Sequence, residues 1–186
     1  MAAKGEELWV IERRSFELGD ENIVRVNVLT GNAQRVFTDR YREGLTAIKL
    51  LQNSPWVAAS ETLADQVLFV NRVSNVMEHK ISVGGNPRGL TQLGGCLVVV
   101  SVEPKMATFI SLWGDAPKIL SQWDLADTGD RLKMPQNIVA DAASGRVFMR
   151  SSYLCTGCSV TQSSVYFAEE ASGDTFKQCL SHSQRQ

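Results

Sequence analysis

The sequence predicts an all-β chain built of repeated antiparallel meanders, and three observations carry that expectation. Apolar segments ending in a small hydroxyl residue recur: WVIERRS (9–15), WVAAS (56–60), CLVVVS (96–101) and RVFMRSS (146–152). Their terminal serines Ser15, Ser60, Ser101 and Ser151 lie 45, 41 and 50 residues apart. A shared entry, Gly44-Leu45-Thr46 and Gly89-Leu90-Thr91, is repeated at a spacing of 45 residues, and Asn137-Ile138-Val139 takes that place in the last unit. After each serine-ended segment comes a strand, a tight turn and a further strand, the pattern of a hairpin. A period of this length marks units too small to bury both faces alone, which gain stability by stacking on their neighbours. Four-stranded units of this size are propeller blades. The expected fold is therefore all-β and β-propeller-like: about four four-stranded antiparallel blades, forming either an open arc or incomplete ring, or a closed ring with one thin blade.

The elements follow in order within a single domain, 1–186, with units at approximately 1–43, 44–88, 89–136 and 137–186. In the first, 9–15 is followed by 22–29, the turn TGNA and 34–40; only eight residues precede Trp9 and none is strand-like, so three strands are expected. The second runs from the Gly44 entry through 56–60 and 66–72 to 76–83. Leu45, Ile48 and Leu51 fall at helical spacing, but the repeat register favours a strand there. The third continues through 96–101, 107–113 and 118–125, and the fourth through 146–152, 164–170 and a last strand at 175–180. Turns of Gly, Asn, Ser and Pro separate them: QNSP, LGG and AASG. A β-sandwich or irregular barrel with regular turns is the competing architecture.

The segment VGGNPRGLTQLGGCLVVVS (83–101) resembles the turn into the inner strand of NHL- and YVTN-type propellers, where Gly-x-x-Pro-x-Gly-Leu leads into the blade. It covers about 20 residues; elsewhere only the strand rhythm is shared. The resemblance implies a fold and no particular activity. Trp123-Asp124 invites comparison with WD repeats, but the pair lies on the fourth strand of its unit and no Gly-His begins any unit. The hemopexin-like four-bladed propeller ties its ends with a disulfide and repeats acidic and aromatic blade starts that this sequence does not show. With the first unit a strand short and SHSQRQ too polar to supply an inner strand, the blade edges are expected to be covered by a protein partner or a second copy.

Composition sets the outer bounds. The 186 residues carry 19 Lys+Arg against 20 Asp+Glu, a net charge of −1, which lacks the basic stripe of a nucleic-acid binder. An apolar content of 44% can build a core and argues against disorder. No apolar run is long enough for a membrane span, and acids stand in MAAKGEELWV where a signal peptide would be apolar. An intracellular location, cytoplasmic or nuclear, is expected, with no membrane insertion.

Four cysteines occur: Cys96, Cys155, Cys158 and Cys179. A reducing compartment argues against disulfides. Cys155-x-x-Cys158 and Cys179-x-x-His182 have the spacing of tetrahedral zinc ligands, since one tight turn can offer two of them. These four residues are the candidate metal site, with the alternatives of a redox pair or ordinary thiols; four protein ligands would make the zinc structural. The cofactor expectation is accordingly none, or one structural zinc ion. Cys96 opens an apolar strand and reads as core.

No catalytic set is evident. A metal-dependent hydrolase or lactonase of propeller type would draw on Asn86, Asn137 and Asp141 at inner-strand starts, but matching acids are not repeated. His79 and His182 are the only histidines, no Gly-x-Ser-x-Gly occurs, and His79 sits between charged residues. Gly84-Gly85-Asn86 and Gly94-Gly95-Cys96 read as turns rather than phosphate loops. Arg13-Arg14, Arg40 and Arg42 are interleaved with Glu12, Asp39 and Glu43, as on a solvated edge. Trp9, Trp56, Trp113, Trp123, Phe37, Phe69, Phe109, Phe148 and Phe167 are expected between blades. The function expected is a non-enzymatic protein–protein interaction module, a structural subunit of a larger complex.

Overall fold

The computed structural model describes residues 2–13, 21–38, 44–125, 135–141, 143, 146–153, 162–168 and 174–182. Three four-stranded sheets follow one another along the chain. The first holds β1 (Ala2–Lys4), β2 (Glu7–Arg13), β3 (Glu21–Asn27) and β4 (Ala33–Thr38). Next come β5 (Leu45–Leu50), β6 (Trp56–Glu61), β7 (Gln66–Asn71) and β8 (Met77–Ser82), then β9 (Pro87–Leu93), β10 (Cys96–Val102), β11 (Lys105–Ser111) and β12 (Lys118–Asp124). A fourth sheet comprises β13 (Pro135–Asp141), β14 (Arg146–Tyr153) and β15 (Gln162–Ala168), and α1 (Asp174–Ser181) follows it. Within each sheet the strands pair in chain order, all antiparallel.

Two expectations need correction. The first sheet is not a strand short: Ala2–Lys4 folds back on β2 with Ala2 opposite Trp9 and Lys4 opposite Glu7. Gly5, at φ 59°, supplies the left-handed residue that a two-residue hairpin loop requires. A three-residue strand of Ala, Ala and Lys carries too little apolar signal to stand out. Residues 175–180 are not a strand either, since they lie in α1. Phe176, Cys179 and Leu180 recur at i, i+3 and i+4, and Phe176 and Cys179 are buried, so one helical face meets the protein.

The middle strands explain how the sheets hold together. All six residues of β6 and the first six of β10 are buried, whereas β8 alternates between half-buried and exposed. A strand covered on both faces reads as a continuous apolar run, because successive side chains enter two different layers. Val57 and Ala59 pack with Trp9, Ile23, Leu45 and Leu68, and their neighbours Trp56 and Ala58 pack with Phe69, Leu97 and Ile110. In β10, Leu97 and Val99 join this second layer, while Val98 and Val100 join a third with Phe109, Ile138, Val147 and Phe176. Each buried Val or Leu contributes about 1.5–3 kcal/mol.

Polar groups register one sheet on the next. Gln92 donates to the Gln52 carbonyl at 3.0 Å and accepts from the Gln52 amide at 2.7 Å. The Asn86 amide donates to Asp65 Oδ1 at 2.7 Å, and the Ala140 amide donates to Thr91 Oγ1 at 3.1 Å. At Gly89 a Cβ would stand 2.8 Å from Val100 Cγ2 and 3.1 Å from Ile138 Cγ2, so its bare backbone lets β13 approach β9.

Trp56 Nε1 donates to Glu78 Oε2 at 2.7 Å from a ring that is 5% exposed. Trp56→Phe is expected to cost about 2 kcal/mol through loss of a hydrogen bond to a charged group. Glu78→Gln, which keeps an acceptor oxygen, should cost less than half of that. Urea unfolding of the two variants provides the comparison.

Candidate functional site

The recurring serines of the sequence have a structural meaning. On the inner strands β5, β9 and β13 the pairing slips by one residue opposite the serine-ended strand. Leu45 faces Glu61 and Ala47 faces Ser60, which leaves Thr46 over; Gly89 faces Val100 and Pro87 faces Ser101, which leaves Arg88 over. In the fourth sheet Asn137 faces Arg150 and Pro135 faces Ser151, and Gln136 is the extra residue. Each slip is a β-bulge, which bends the strand and re-aims a side chain. In the second sheet the serine holds it in place, since Ser60 Oγ accepts from the Ala47 amide at 3.0 Å; in the third, Ser101 Oγ donates to the Gly84 carbonyl, ahead of β9, at 3.2 Å.

A cavity of about 500 Å³ opens at this end of the inner strands. Ile11 and Arg13 of β2, Leu45 and Thr46 of β5, Arg88 of β9 and Asn137 of β13 line it, so all four sheets contribute. Two of the lining residues, Thr46 and Arg88, are bulge residues. Thr46 Oγ1 is already engaged, 2.6 Å from Thr62 Oγ1 and 3.0 Å from Ser60 Oγ. Arg13 Nε lies 3.0 Å from Oε1 of the fully buried Glu21. Arg88 is half-buried and makes no hydrogen bond or ion pair among the described residues; its Nε is buried without a partner.

The other residues singled out from sequence are dispersed. Cys179 is bonded to Cys96, 83 residues away, so its sulfur offers no thiolate to a metal. This corrects the expectation against disulfides; Cys96 is buried in the core as expected, and is half of the bond. His182 stacks on Trp113 with centroids 4.0 Å apart, and its Nδ1 lies 3.0 Å from the Gln178 carbonyl. Cys155 and Cys158 lie outside the described residues, as do Arg14, Arg40 and Arg42. Among the described residues no three His, Cys, Asp or Glu side chains converge. Asn137 and Asp141 stand four residues apart on β13, roughly 13 Å at the rise of a strand, and of Asn86, Asn137 and Asp141 only Asn137 lines the cavity. The hydrolase set is therefore not gathered. His79 packs edge-on against Trp56 at 5.4 Å. Trp9, Trp56, Phe69 and Phe109 are buried, whereas Trp113, Trp123 and Phe37 are half-buried at the margins of the core.

A second repeat escaped the sequence. Asn27 Oδ1 accepts from the amides of Leu29 and Thr30, and Asn71 Oδ1 accepts in the same way from Val73 and Ser74. Gly31 and Asn75, both at positive φ, close these matching turns. Their tips present Leu29 at 72% and Val73 at 86% exposure. Arg25 reaches from the first sheet to the Arg72 carbonyl at 3.4 Å, which sets the two turns side by side.

No protein-family model and no curated protein matches the chain. Solved structures do. Hydrazine synthase of Kuenenia stuttgartiensis aligns with a TM-score of 0.58 at 13% identity, over 81% of this chain and 40% of that one. Hsv2 of Kluyvelomyces marxianus aligns with a TM-score of 0.53 at 10% identity, over 84% of this chain and 57% of its own. A luciferin-regenerating enzyme gives 0.52 at 9% identity, over 72% and 44%. These three are propeller-type folds. The fold is β-propeller-like. At such identities the likeness is one of fold alone, and the chain spans about half the length of the propellers it matches. No helix among the described residues is long and apolar enough to cross a membrane.

Proposed function

We propose that the chain is a non-enzymatic protein–protein interaction module, a structural subunit of a larger complex. The observation that carries this is the unfinished arc. Inner strands pack β1 and β2 on β5, β5 on β9 and β9 on β13, and among the described residues no packing of comparable extent joins the first sheet to the last. The last sheet also has three described strands where the others have four. Sheet faces and strand edges left in this way are covered in stable proteins by another chain or a second copy. The exposed apolar turn tips Leu29 and Val73 add contacts suited to a protein partner. The entry at 83–101 is consistent with an NHL- or YVTN-type blade.

Sedimentation of the purified full chain at micromolar concentration tests the proposal, alone and with any co-purifying protein. A mass of at least twice 20.5 kDa, or a defined complex, is the expected result. A well-folded monomer that stays monomeric in the presence of the source-cell proteins would overturn it. For location, the Cys96–Cys179 bond favours an oxidising compartment over the cytoplasm or nucleus. Alkylation of free thiols immediately on lysis of the source cells distinguishes the two.

A further inference from the structure

We propose that the inner-strand cavity is a binding site for a small oxyanion, a carboxylate or a phosphate group, held by Arg88 with help from Arg13 and Asn137. The site is independent of the interaction role above, because it rests on a different part of the molecule. Its centre is Arg88, which the bulge in β9 takes out of the pairing register and which lines the cavity. A guanidinium partly withdrawn from water needs a counter-charge or hydrogen-bond acceptors to offset its lost hydration. Arg88 has neither among the described residues. Arg13, which also lines the cavity, has its buried carboxylate partner at Nε.

The charge arithmetic at the cavity is therefore two arginines against the one glutamate that pairs with Arg13, a local excess of +1. Thr46, its hydroxyl committed to Ser60 and Thr62, forms a fixed wall rather than a donor. Asn137 is exposed, lines the same cavity and adds an amide that can donate. An oxyanion matches this set, because the planar fork of arginine engages two oxygens of a carboxylate or phosphate at once. The volume of about 500 Å³ suits a small metabolite rather than a polymer.

Calorimetric titration of the full chain with inorganic phosphate and, separately, with citrate tests the site in a low-salt buffer. One saturable event per chain is expected with at least one of the two, and which one binds distinguishes phosphate from carboxylate. Arg88→Gln should weaken it at least tenfold and Arg88→Lys less. Asn137→Asp, at an exposed position, should abolish binding while the melting temperature without anion stays within a few degrees of wild type. This second variant keeps the test decisive if Arg88→Gln fails to fold. Arg72→Gln, in the separate groove with Arg25 and Val73, should bind as wild type. Absence of saturable binding, equal affinity in Asn137→Asp, or loss in Arg72→Gln alone would each overturn the proposal.

Discussion

Phe109→Ala is expected to lower the unfolding free energy by about 3–5 kcal/mol, the range for removing a buried aromatic from a core that cannot collapse around the gap. Phe109 is 1% exposed and lies at the centre of a three-ring cluster. Its ring is 4.5 Å from Trp123 and 5.5 Å from Phe176, and these two stack at 5.1 Å. The cluster joins β11, β12 and α1, so the loss should be felt by the helix as well as by the sheet. A double-mutant cycle with Phe176→Ala measures this: a coupling of about 0.5–1.5 kcal/mol is expected for rings in contact. Urea unfolding followed by tryptophan fluorescence reads both quantities. A loss below 1 kcal/mol would show that the helix does not seat on this cluster.

Replacing both Cys96 and Cys179 with alanine is expected to cost about 2–5 kcal/mol, as for removal of other native disulfides. The bond closes a long loop, 83 residues, and holds α1 to the start of β10. The helix has one further covalently independent anchor here, the Gly95 amide donating to the Cys179 carbonyl at 2.8 Å. Gly94 permits that closeness, since a Cβ there would stand 2.4 Å from the same oxygen. Two results should coincide. A reductant should shift the wild-type urea midpoint to that of the double variant and leave the variant unchanged, and hydrogen exchange should show protection lost first in 174–182. If reductant has no effect on the wild type, the cross-link is not a source of stability.

The parts of the fold that were legible are those whose burial is two-sided. CLVVV and VLFV are continuous apolar runs because neighbouring sheets cover both faces, and continuity over four or five residues between turns leaves little choice but a strand. Ala2–Lys4 was illegible because a short strand at a sheet edge is held by backbone pairing, which composition does not record. At α1 the repeat register favoured a strand, while the local spacing of Phe176, Cys179 and Leu180 already carried the helix. The pairing of Cys179 was misjudged because its partner is distant in sequence, whereas His182 is three residues away; proximity along the chain is a poor guide where four sheets are stacked. Arg88 was passed over as part of a turn, since nothing in Asn-Pro-Arg-Gly-Leu reveals that one residue will be left out of the ladder. The recurring serines are the one signal in the sequence, and by spacing alone they mark repetition rather than a slip in pairing.

That slip also frees a position from the rules that govern its neighbours. Every other residue on an inner strand is tied to a two-residue alternation, so a change of chemistry there must be absorbed by a packed layer. The bulge residue stands outside that alternation. In successive sheets it is Thr46, Arg88 and Gln136, a hydroxyl, a cation and an amide on one scaffold. Two of these residues, Thr46 and Arg88, line the cavity, so its chemistry can change at a position outside the paired ladder, and Arg88 is where that position carries charge.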